Sequence, residues 1–404
     1  MKVLLVNAYA KSGGASVAAR RLCAALKDSG AEARLLVQNA EGVEDPALFA
    51  TADRWAVRRP LLDSLPTLPW RNRRSPHWGN AWLDNGATRK AIRDFAPDVT
   101  HLHWVNHGML SLRDVARLEG PVVWTLHDSW AFTGGCHSPQ ECRNFRARCG
   151  RCPELDSRRE RDLSRWNWNR KRDAWKTAAF AAVTPSRWLA EMARSSSLLA
   201  GRRIETIPNA VDTAVFHPRD RAAARAALGL PPSAPLFFFG AHGAATDWNK
   251  GMDLWRAALP AVARGCPGAV AVLAGAPAGS LPLPACELGT LSPERMALAL
   301  AAADAAVVPS RMENLPNVVA ESLACGTPVA AFAVGGIPEM IRPGETGFLA
   351  HPHDPSDLAR GIRELLARGG TMRTDCAAFA RATYAPETVA RRHLELYRSL
   401  VELP

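Results

Sequence analysis

The sequence predicts an α/β chain of two doubly wound, Rossmann-like parallel-sheet domains facing each other across a cleft. Three observations predict it. Short apolar runs alternate with helix-length stretches along most of the chain, the rhythm of a parallel sheet with crossover helices. One proline-bounded, turn-rich stretch, from Ile207 to Pro218, interrupts that rhythm and reads as a linker. The chain's 404 residues, 47% apolar and 22% charged, hold enough core for two or three domains, and exclude a disordered, collagenous or coiled-coil chain.

The elements follow in order. Lys2–Asn7 is a short apolar strand, Gly13-Gly14 opens a helix through about Lys27, and Arg34–Gln38 is the next strand. Residues 41–95 break the rhythm with Pro, Trp and Arg and read as an inserted, mobile region. Further strands are expected at Asp98–His103, Val122–His127, Phe180–Thr184 and Ile204–Pro208, with a long irregular cysteine-bearing loop over 128–160. These make a first domain over 1–208. The second, over 209–385, alternates strands at Leu236–Gly240, Ala269–Gly275, Ala305–Pro309 and Pro328–Ala333 with helices at 251–264, 292–302 and 316–325. Residues 386–404 close the chain with a helix expected to pack back on the first domain. In open parallel sheets ligands sit beyond the carboxyl ends of the strands, so the cleft is the expected active site.

Charge is placed unevenly. Residues 1–205 carry 33 Lys/Arg against 21 Asp/Glu, whereas residues 206–404 carry 17 against 18. Eleven of the 13 tryptophans precede residue 190. An Arg/Trp-rich face suits nucleic acid, an anionic membrane or a phosphorylated substrate. The longest uncharged run, Gly265 to Cys286, contains four prolines and is no membrane span. Val3–Val6 is too short for a signal-peptide core, so the expected location is cytoplasmic.

The strongest local signal is Pro309-Ser-Arg-Met-Glu313-Asn-Leu-Pro-Asn-Val-Val-Ala-Glu321. Pro316 suits the first turn of a helix, which puts Glu313 in the preceding loop and Glu321 one to two turns in. The amides of Asn317 and Val318 at the helix start would attract a phosphate, and carboxylates read sugar hydroxyls well. In the first half, Ser12-Gly13-Gly14 between strand and helix is either a ligand-approaching loop or simply a tight turn.

Here the sequence resembles the GT-B-fold retaining glycosyltransferases of family 4, whose signature is two glutamates separated by seven residues. Glu321-Ser-Leu-Ala-Cys-Gly-Thr-Pro-Val, Val334-Gly-Gly-Ile-Pro-Glu339 and Gly344-Glu-Thr-Gly-Phe348 carry the likeness. His101-Leu-His-Trp104, Trp124-Thr-Leu-His-Asp128, Trp130-Ala-Phe-Thr-Gly-Gly-Cys-His137, Cys149-Gly-Arg-Cys-Pro153 and Pro185-Ser-Arg-Trp188 resemble its bacterial exopolysaccharide, colanic-acid branch. The resemblance implies a first domain that binds the acceptor and a second that binds a nucleotide-diphosphate sugar.

It also implies residue roles. Glu321 would hold the ribose hydroxyls, and Glu313 the donor sugar. Asn314, Leu315, Pro316, Asn317, Gly335 and Gly336 would line sugar and diphosphate. Lys250, the lone lysine after residue 205, matches the family's phosphate-binding lysine. An arginine that many relatives carry nearby is missing: those places read Gly240-Ala-His242 and Asn249, and Arg311 is a candidate substitute. Gly13 and Gly14 would approach the donor, and His127 would face its sugar. His103, Trp104, Asp128 and Trp130 would meet the acceptor, with orienting the His127 imidazole the other reading of Asp128 and a core position the other reading of Trp104 and Trp130, while His101 is read as structural. The reaction implied is front-face displacement with retention, helped by the departing diphosphate and by positioning. No Asp-x-Asp motif is required of that fold, so no catalytic metal is expected.

Nine cysteines in a chain this long do not make a disulfide scaffold. Cys23, Cys266, Cys286, Cys325 and Cys376 are scattered. Cys136, Cys142, Cys149 and Cys152 cluster with spacing C-x5-C-x6-C-x2-C, which fits a structural zinc site, with His137 as an alternative ligand. Free thiols, disulfides and an iron–sulfur centre are the other readings. Residues 143–176 interleave 12 Arg/Lys with Trp166, Trp168 and Trp175, which reads as either a solvated helix or a membrane contact for a polyprenyl-diphosphate-linked acceptor. The resulting expectation is a sugar transferase of polysaccharide biosynthesis, peripheral at the inner face of the cell membrane. Its rivals are a tailoring transferase of small natural products, a nucleic-acid-binding protein and a non-catalytic scaffold; a salt-sensitive grip on nucleic acid would mark the third.

Overall fold

The computed structural model describes residues 1–70, 78–240, 247–275, 279–368 and 370–402. The chain divides into two compact units, Met1–Pro208 with Val389–Pro404, and Asn209–Thr388. Ala241 and His242 lie outside the described residues.

The first unit is built on a seven-stranded sheet in the order β3-β2-β1-β4-β5-β6-β7. Its strands are β1 (Lys2–Tyr9), β2 (Glu32–Asn39), β3 (Leu48–Ala50), β4 (Val99–Leu102), β5 (Val122–Thr125), β6 (Ala181–Thr184) and β7 (Ile204–Thr206). Every pairing is parallel. Parallel strands covered on both faces are continuously apolar, and Val3, Leu4, Leu5 and Val6 at the centre are fully buried. The edge strand β3 lies inside the region read from sequence as an insertion. Three residues behind the Asp45-Pro46 turn are too short a run to announce a strand.

The unit's helices are α1 (Gly14–Asp28), α2 (Arg59–Ser64), α3 (Gly86–Phe95), α4 (Leu112–Ala116), α5 (Leu163–Trp175) and α6 (Arg187–Ser195). Several start on an explicit cap: Asn85 accepts from the Thr88 amide, Ser111 and Asp114 form a reciprocal capping box, and Asp162 accepts from the Arg165 amide. Each satisfies amides that the first turn leaves unpaired.

The second unit carries a six-stranded parallel sheet in the order β10-β9-β8-β11-β12-β13. These are β8 (Leu236–Gly240), β9 (Val270–Ala274), β10 (Ala285–Glu287), β11 (Ala305–Val308), β12 (Val329–Phe332) and β13 (Gly347–Ala350). Around it pack α7 (Arg221–Ala227), α8 (Met252–Gly265), α9 (Pro293–Ala302), α10 (Asn317–Ala324), α11 (Pro355–Arg368) and α12 (Arg373–Tyr384). Phe237, Phe238 and Phe239 are buried in succession, and Trp255 of α8 stacks on Phe239 at 4.6 Å.

The last helix, α13 (Pro386–Val401), falls mostly within the first unit. Its Tyr397 hydroxyl lies 2.6 Å from His101 Nδ1, and Thr125 Oγ1 lies 2.7 Å from the ring's other nitrogen. His101 is therefore a buried link between β4, β5 and α13.

Candidate active site

In the second unit the glutamate pair is held as the spacing requires. Pro316 caps α10 rather than opening it, and Glu321 is the fifth residue of that helix, largely buried. Glu313 stands in the loop after β11. Its Oε1 accepts from Lys250 Nζ at 2.7 Å and from Ser310 Oγ at 3.1 Å. The nearby Glu313 charge is the main reason the Lys250 ammonium sits above its ordinary range, outweighing burial.

Two glycines fix this loop. Gly251, after Lys250, has φ +65°, and a Cβ there would lie 1.9 Å from the Pro309 carbonyl oxygen. Gly335 has φ +57°, and its Cβ would lie 1.9 Å from the Glu313 carbonyl oxygen. The Gly336 amide donates to that same oxygen at 3.0 Å. Only glycine allows so close an approach at positive φ. The Gly335-Gly336 turn thus touches Glu313 through the backbone, and Asn314 and Leu315 continue directly to the capped helix.

Arg311 is not a spare phosphate ligand. Its guanidinium forks onto Asp253 at 2.8 and 2.6 Å, donates to the Trp248 carbonyl at 2.8 Å, and stacks 4.2 Å from the Trp248 ring centroid. A fork bound at both teeth is no substitute for the missing arginine.

In the first unit, the loops after β1, β4 and β5 bring a polar and aromatic group together. His103 and His127 follow the last residues of β4 and β5, with His103 Nδ1 2.9 Å from His127 Nε2 and the rings stacked at 5.1 Å. Burial pulls the His127 imidazole down to about 4, and the Asp128 charge offsets only part of this. His103 is itself buried and also pushed down by burial, so it backs His127 instead of offering a surface of its own.

Asp128 gathers three donors. The Trp104 indole N–H (3.2 Å) and His137 Nδ1 (2.7 Å) meet one oxygen, and the Trp130 amide (2.8 Å) meets the other. Burial would raise its carboxyl, but His137 and these hydrogen bonds outweigh that and hold it below the usual carboxylate range. Trp104 packs between His107 at 4.7 Å, His137 at 5.8 Å and Tyr9 at 6.0 Å. The Tyr9 hydroxyl lies 2.9 Å from His107 Nδ1. Sequence reasoning missed Tyr9 and His107 and gave His137 a different role. The available signals were a tyrosine ending the first strand and a histidine beside Gly108 at positive φ.

Trp130 is buried, with its indole N–H on the Gly79 carbonyl (2.8 Å) and the Lys171 ammonium 3.9 Å from its ring centroid. It presents no open face on which a sugar ring could stack. Gly13 has φ +86° and precedes Gly14, the first residue of α1. The amides of Lys11 and Ser12 just before them donate to the Glu41 carboxylate at 2.7 and 3.0 Å. The turn therefore already receives an anion from its own chain.

Cys136, Cys142, Cys149 and Cys152 all line one small cavity and are free thiols. Among the described residues, no three His, Cys, Asp or Glu stand ready to hold a metal ion. His137 points to Asp128 and is not a fifth member of this cluster. Of the tryptophans in the basic segment, Trp168 and Trp175 are buried and Trp166 is exposed under the Arg170 guanidinium. No helix among the described residues is long and apolar enough to cross a membrane.

Comparison with known proteins bears on this arrangement. Residues 236–368 match the family described as Glycosyl transferases group 1. A D-inositol 3-phosphate glycosyltransferase of Mycolicibacterium gilvum is 38% identical over 196 residues, a stretch covering 45% of this chain and 41% of that relative. The chain therefore matches less than half the length of that relative. Among solved structures, sucrose-phosphate synthase from Thermosynechococcus elongatus superposes with a TM-score of 0.73 at 20% identity, covering 98% of each chain. Anabaena HepE in complex with UDP-glucose superposes with a TM-score of 0.67 at 17% identity, covering 99% of this chain and 100% of HepE. These likenesses show the two-domain GT-B fold. Residues 12–215, just over half of the chain, match the family described as Glycosyltransferase Family 4, and the chain belongs to that family.

Proposed function

We propose that this protein is a retaining glycosyltransferase that moves a sugar from a nucleotide-diphosphate donor to a saccharide or polyprenyl-diphosphate-linked acceptor. The observation that carries the reading is Glu313, held by Lys250 and Ser310 and braced from behind by Gly335-Gly336, with Glu321 on the helix that follows. Lys250 would exchange Glu313 for the donor's diphosphate. Glu313, released, would accept hydroxyls of the donor sugar and face charge growing at its anomeric carbon. Glu321 would hold the ribose, while Asn314, Leu315, Pro316 and Asn317 lead into a helix start that favours phosphate. Gly13 and Gly14 would admit the donor where the Glu41 carboxylate now sits.

In the first unit, His127 is neutral near pH 7 and can donate or accept without carrying charge. His103 sets its tautomer, and Asp128 and Trp104 would meet acceptor hydroxyls. No nucleophile–base pair is needed if the departing diphosphate takes the acceptor proton, so positioning carries the rate. HepE is described with UDP-glucose, which makes uridine diphosphate sugars the first donors to test. The relatives carry inositol phosphate and sucrose phosphate in their names. A phosphorylated polyol or sugar is therefore the second acceptor class, and the excess of Lys/Arg over Asp/Glu in residues 1–205 suits either anionic acceptor.

Membrane contact would fall to residues 54–68 rather than 143–176. Trp55, Val57, Leu61, Leu65 and Leu68 are exposed around α2, with Val57 82% and Leu61 67% accessible. The Arg54 and Arg58 guanidiniums flank the Trp55 ring. Exposed apolar side chains interleaved with arginine suit an anionic lipid surface.

The test is a matrix of nucleotide sugars against short oligosaccharides, a polyprenyl-diphosphate sugar and an inositol phosphate, read as acceptor-dependent release of nucleoside diphosphate. The reading expects one productive pair and a product of unchanged anomeric configuration. Inverted product would overturn the retaining mechanism. Donor binding with no transfer or hydrolysis would favour a non-catalytic scaffold.

A further inference from the structure

The glycosyl-transfer site leaves one group of reactive side chains unused. Cys136, Cys142, Cys149 and Cys152 come from a stretch whose regular structure is single-turn helical pieces and one isolated bridge, and all four line one cavity of about 10 Å³, enough for a single small occupant. Spacing alone does not make a ligand site, and two further observations concern the sulfurs and the charge around them.

The first is hydrogen bonding to sulfur. The Cys149-Gly-Arg-Cys152-Pro153 turn runs through Gly150 at φ 142° and Arg151 at φ 48°. The Glu154 amide lies at the Cys152 sulfur, beside that of Leu155, which also donates to the Cys152 carbonyl at 3.2 Å, and the Gly134 amide of a separate loop lies at the Cys149 sulfur. A neutral thiol is a weak acceptor, so amides directed at sulfur are matched to a thiolate. A cation in the cavity would hold those sulfurs as thiolates, since metal binding displaces the thiol protons.

The second is Lys171. This lysine of α5 is fully buried. Its ammonium donates to the carbonyls of Trp130 and Thr133, the latter at 3.0 Å, and no carboxylate among the described residues lies within ion-pair distance of it. A buried cation held by carbonyls and an aromatic face but lacking a countercharge is disfavoured. Four thiolates around a divalent ion form a doubly negative centre, which would supply the missing countercharge.

We propose that Cys136, Cys142, Cys149 and Cys152 bind a structural zinc ion, with Lys171 as its buried countercharge. Zinc is the ion because four thiolates in a closed tetrahedral shell, with no open position, are its structural coordination. Among the described residues no three donors are yet at metal-holding spacing. Cys142, the least buried of the four, turns inward as the shell closes. Binding forms four sulfur–zinc bonds and releases four protons to solvent, with no change of oxidation state. The ion orders the segment that begins at Asp128 and Trp130 and includes His137, and so fixes the donors around Asp128.

The test uses the full chain expressed in zinc-supplemented medium and purified without chelator. Elemental analysis should find about one zinc per chain. Cys152→Ser should lose it and Cys266→Ser, outside the cluster, should keep it. Where a serine variant fails to fold, cobalt exchanged into the wild-type chain decides, because tetrahedral thiolate ligation gives intense sulfur-to-cobalt charge-transfer bands. Folded wild-type chain that takes up no zinc under reducing, anaerobic conditions would overturn the proposal. So would zinc that persists undiminished in Cys152→Ser, a mass deficit showing disulfides, or bound iron with visible absorption.

Discussion

Lys250 Nζ lies 2.7 Å from Oε1 of Glu313, although the two residues are 63 positions apart. The contact joins the end of the short turn before α8 to the loop after β11, and both ends are fixed by glycines at positive φ. A lysine and a glutamate that neutralise each other in the free protein are each available to a ligand carrying the opposite group. Lys250→Met should therefore lower kcat/KM about 10²–10³-fold, the usual loss when one preorganised charge donor is removed. Glu313→Gln should lower kcat while leaving nucleoside diphosphate affinity within a few-fold. Equal losses of kcat and nucleotide affinity in Glu313→Gln would assign this carboxylate to the nucleotide instead of the sugar.

Gly335 and Gly344 separate strain from contact. Both have positive φ, but only Gly335 faces another residue's backbone, whereas nothing lies within 4 Å of a Cβ at Gly344. Either alanine substitution should cost about 1–2 kcal/mol from the left-handed backbone alone. Gly335→Ala should also displace the Glu313 carbonyl and abolish donor turnover. Matching activities in the two variants, measured beside their thermal midpoints, would show that the Gly335–Glu313 approach does not position the site.

Four histidines predict an acid limit to stability. His101, His103, His127 and His393 are held neutral by burial, with His127 and His393 at about 4. A folded-state value below the unfolded one favours folding wherever the unfolded imidazole is neutral, so this contribution is complete above about pH 6.5. It is lost as pH falls from there through 4, as the unfolded chain takes up protons first. For fully buried His393 the loss is at most about 3 kcal/mol. Denaturant titrations at pH 7.5, 6 and 5 should show falling stability, less steep in His393→Leu. A flat profile over that range would contradict neutral burial of the cluster.

The apolar residues around α2 make the membrane contact testable apart from catalysis. The full chain should co-sediment with vesicles containing anionic lipid, less so at high salt. The pair Leu61→Asp and Leu68→Asp should abolish this while leaving turnover of a water-soluble acceptor unchanged. Binding that survives both substitutions but is lost in Trp166→Ala would move the contact to α5.

Much of the fold was legible because parallel strands are written as continuous apolar runs, as in Val3–Val6 and Val122–Thr125. The ends of those runs also place His103 and His127, since residues just past a strand's carboxyl end fall at the rim of the sheet. The grouping of Tyr9, Trp104, His107, Asp128 and His137 was not legible. It depends on β1, β4 and β5 standing side by side, and strand order is not written locally. Trp168 and Trp175 read as a solvated or membrane-facing pair beside so many arginines, and Trp130 as either an acceptor platform or core. They are buried because arginine and lysine here cap carbonyls and cover rings, as Lys171 does over Trp130 and Arg170 does for Asn80 and Ala81. Arg311 was equally unreadable, since it lies in the loop after β11 and its partner Asp253 is supplied by α8.

The central claim is a nucleotide-sugar site built on Lys250, Glu313 and Glu321. Its most direct test is thermal stabilisation of the purified full chain across a panel of nucleoside diphosphates and nucleotide sugars, alongside Glu321→Ala. The account predicts a selective upward shift from one nucleotide, larger with its sugar attached and lost in Glu321→Ala. A well-folded wild-type chain that shifts with none of them, or a shift that Glu321→Ala retains in full, would contradict it.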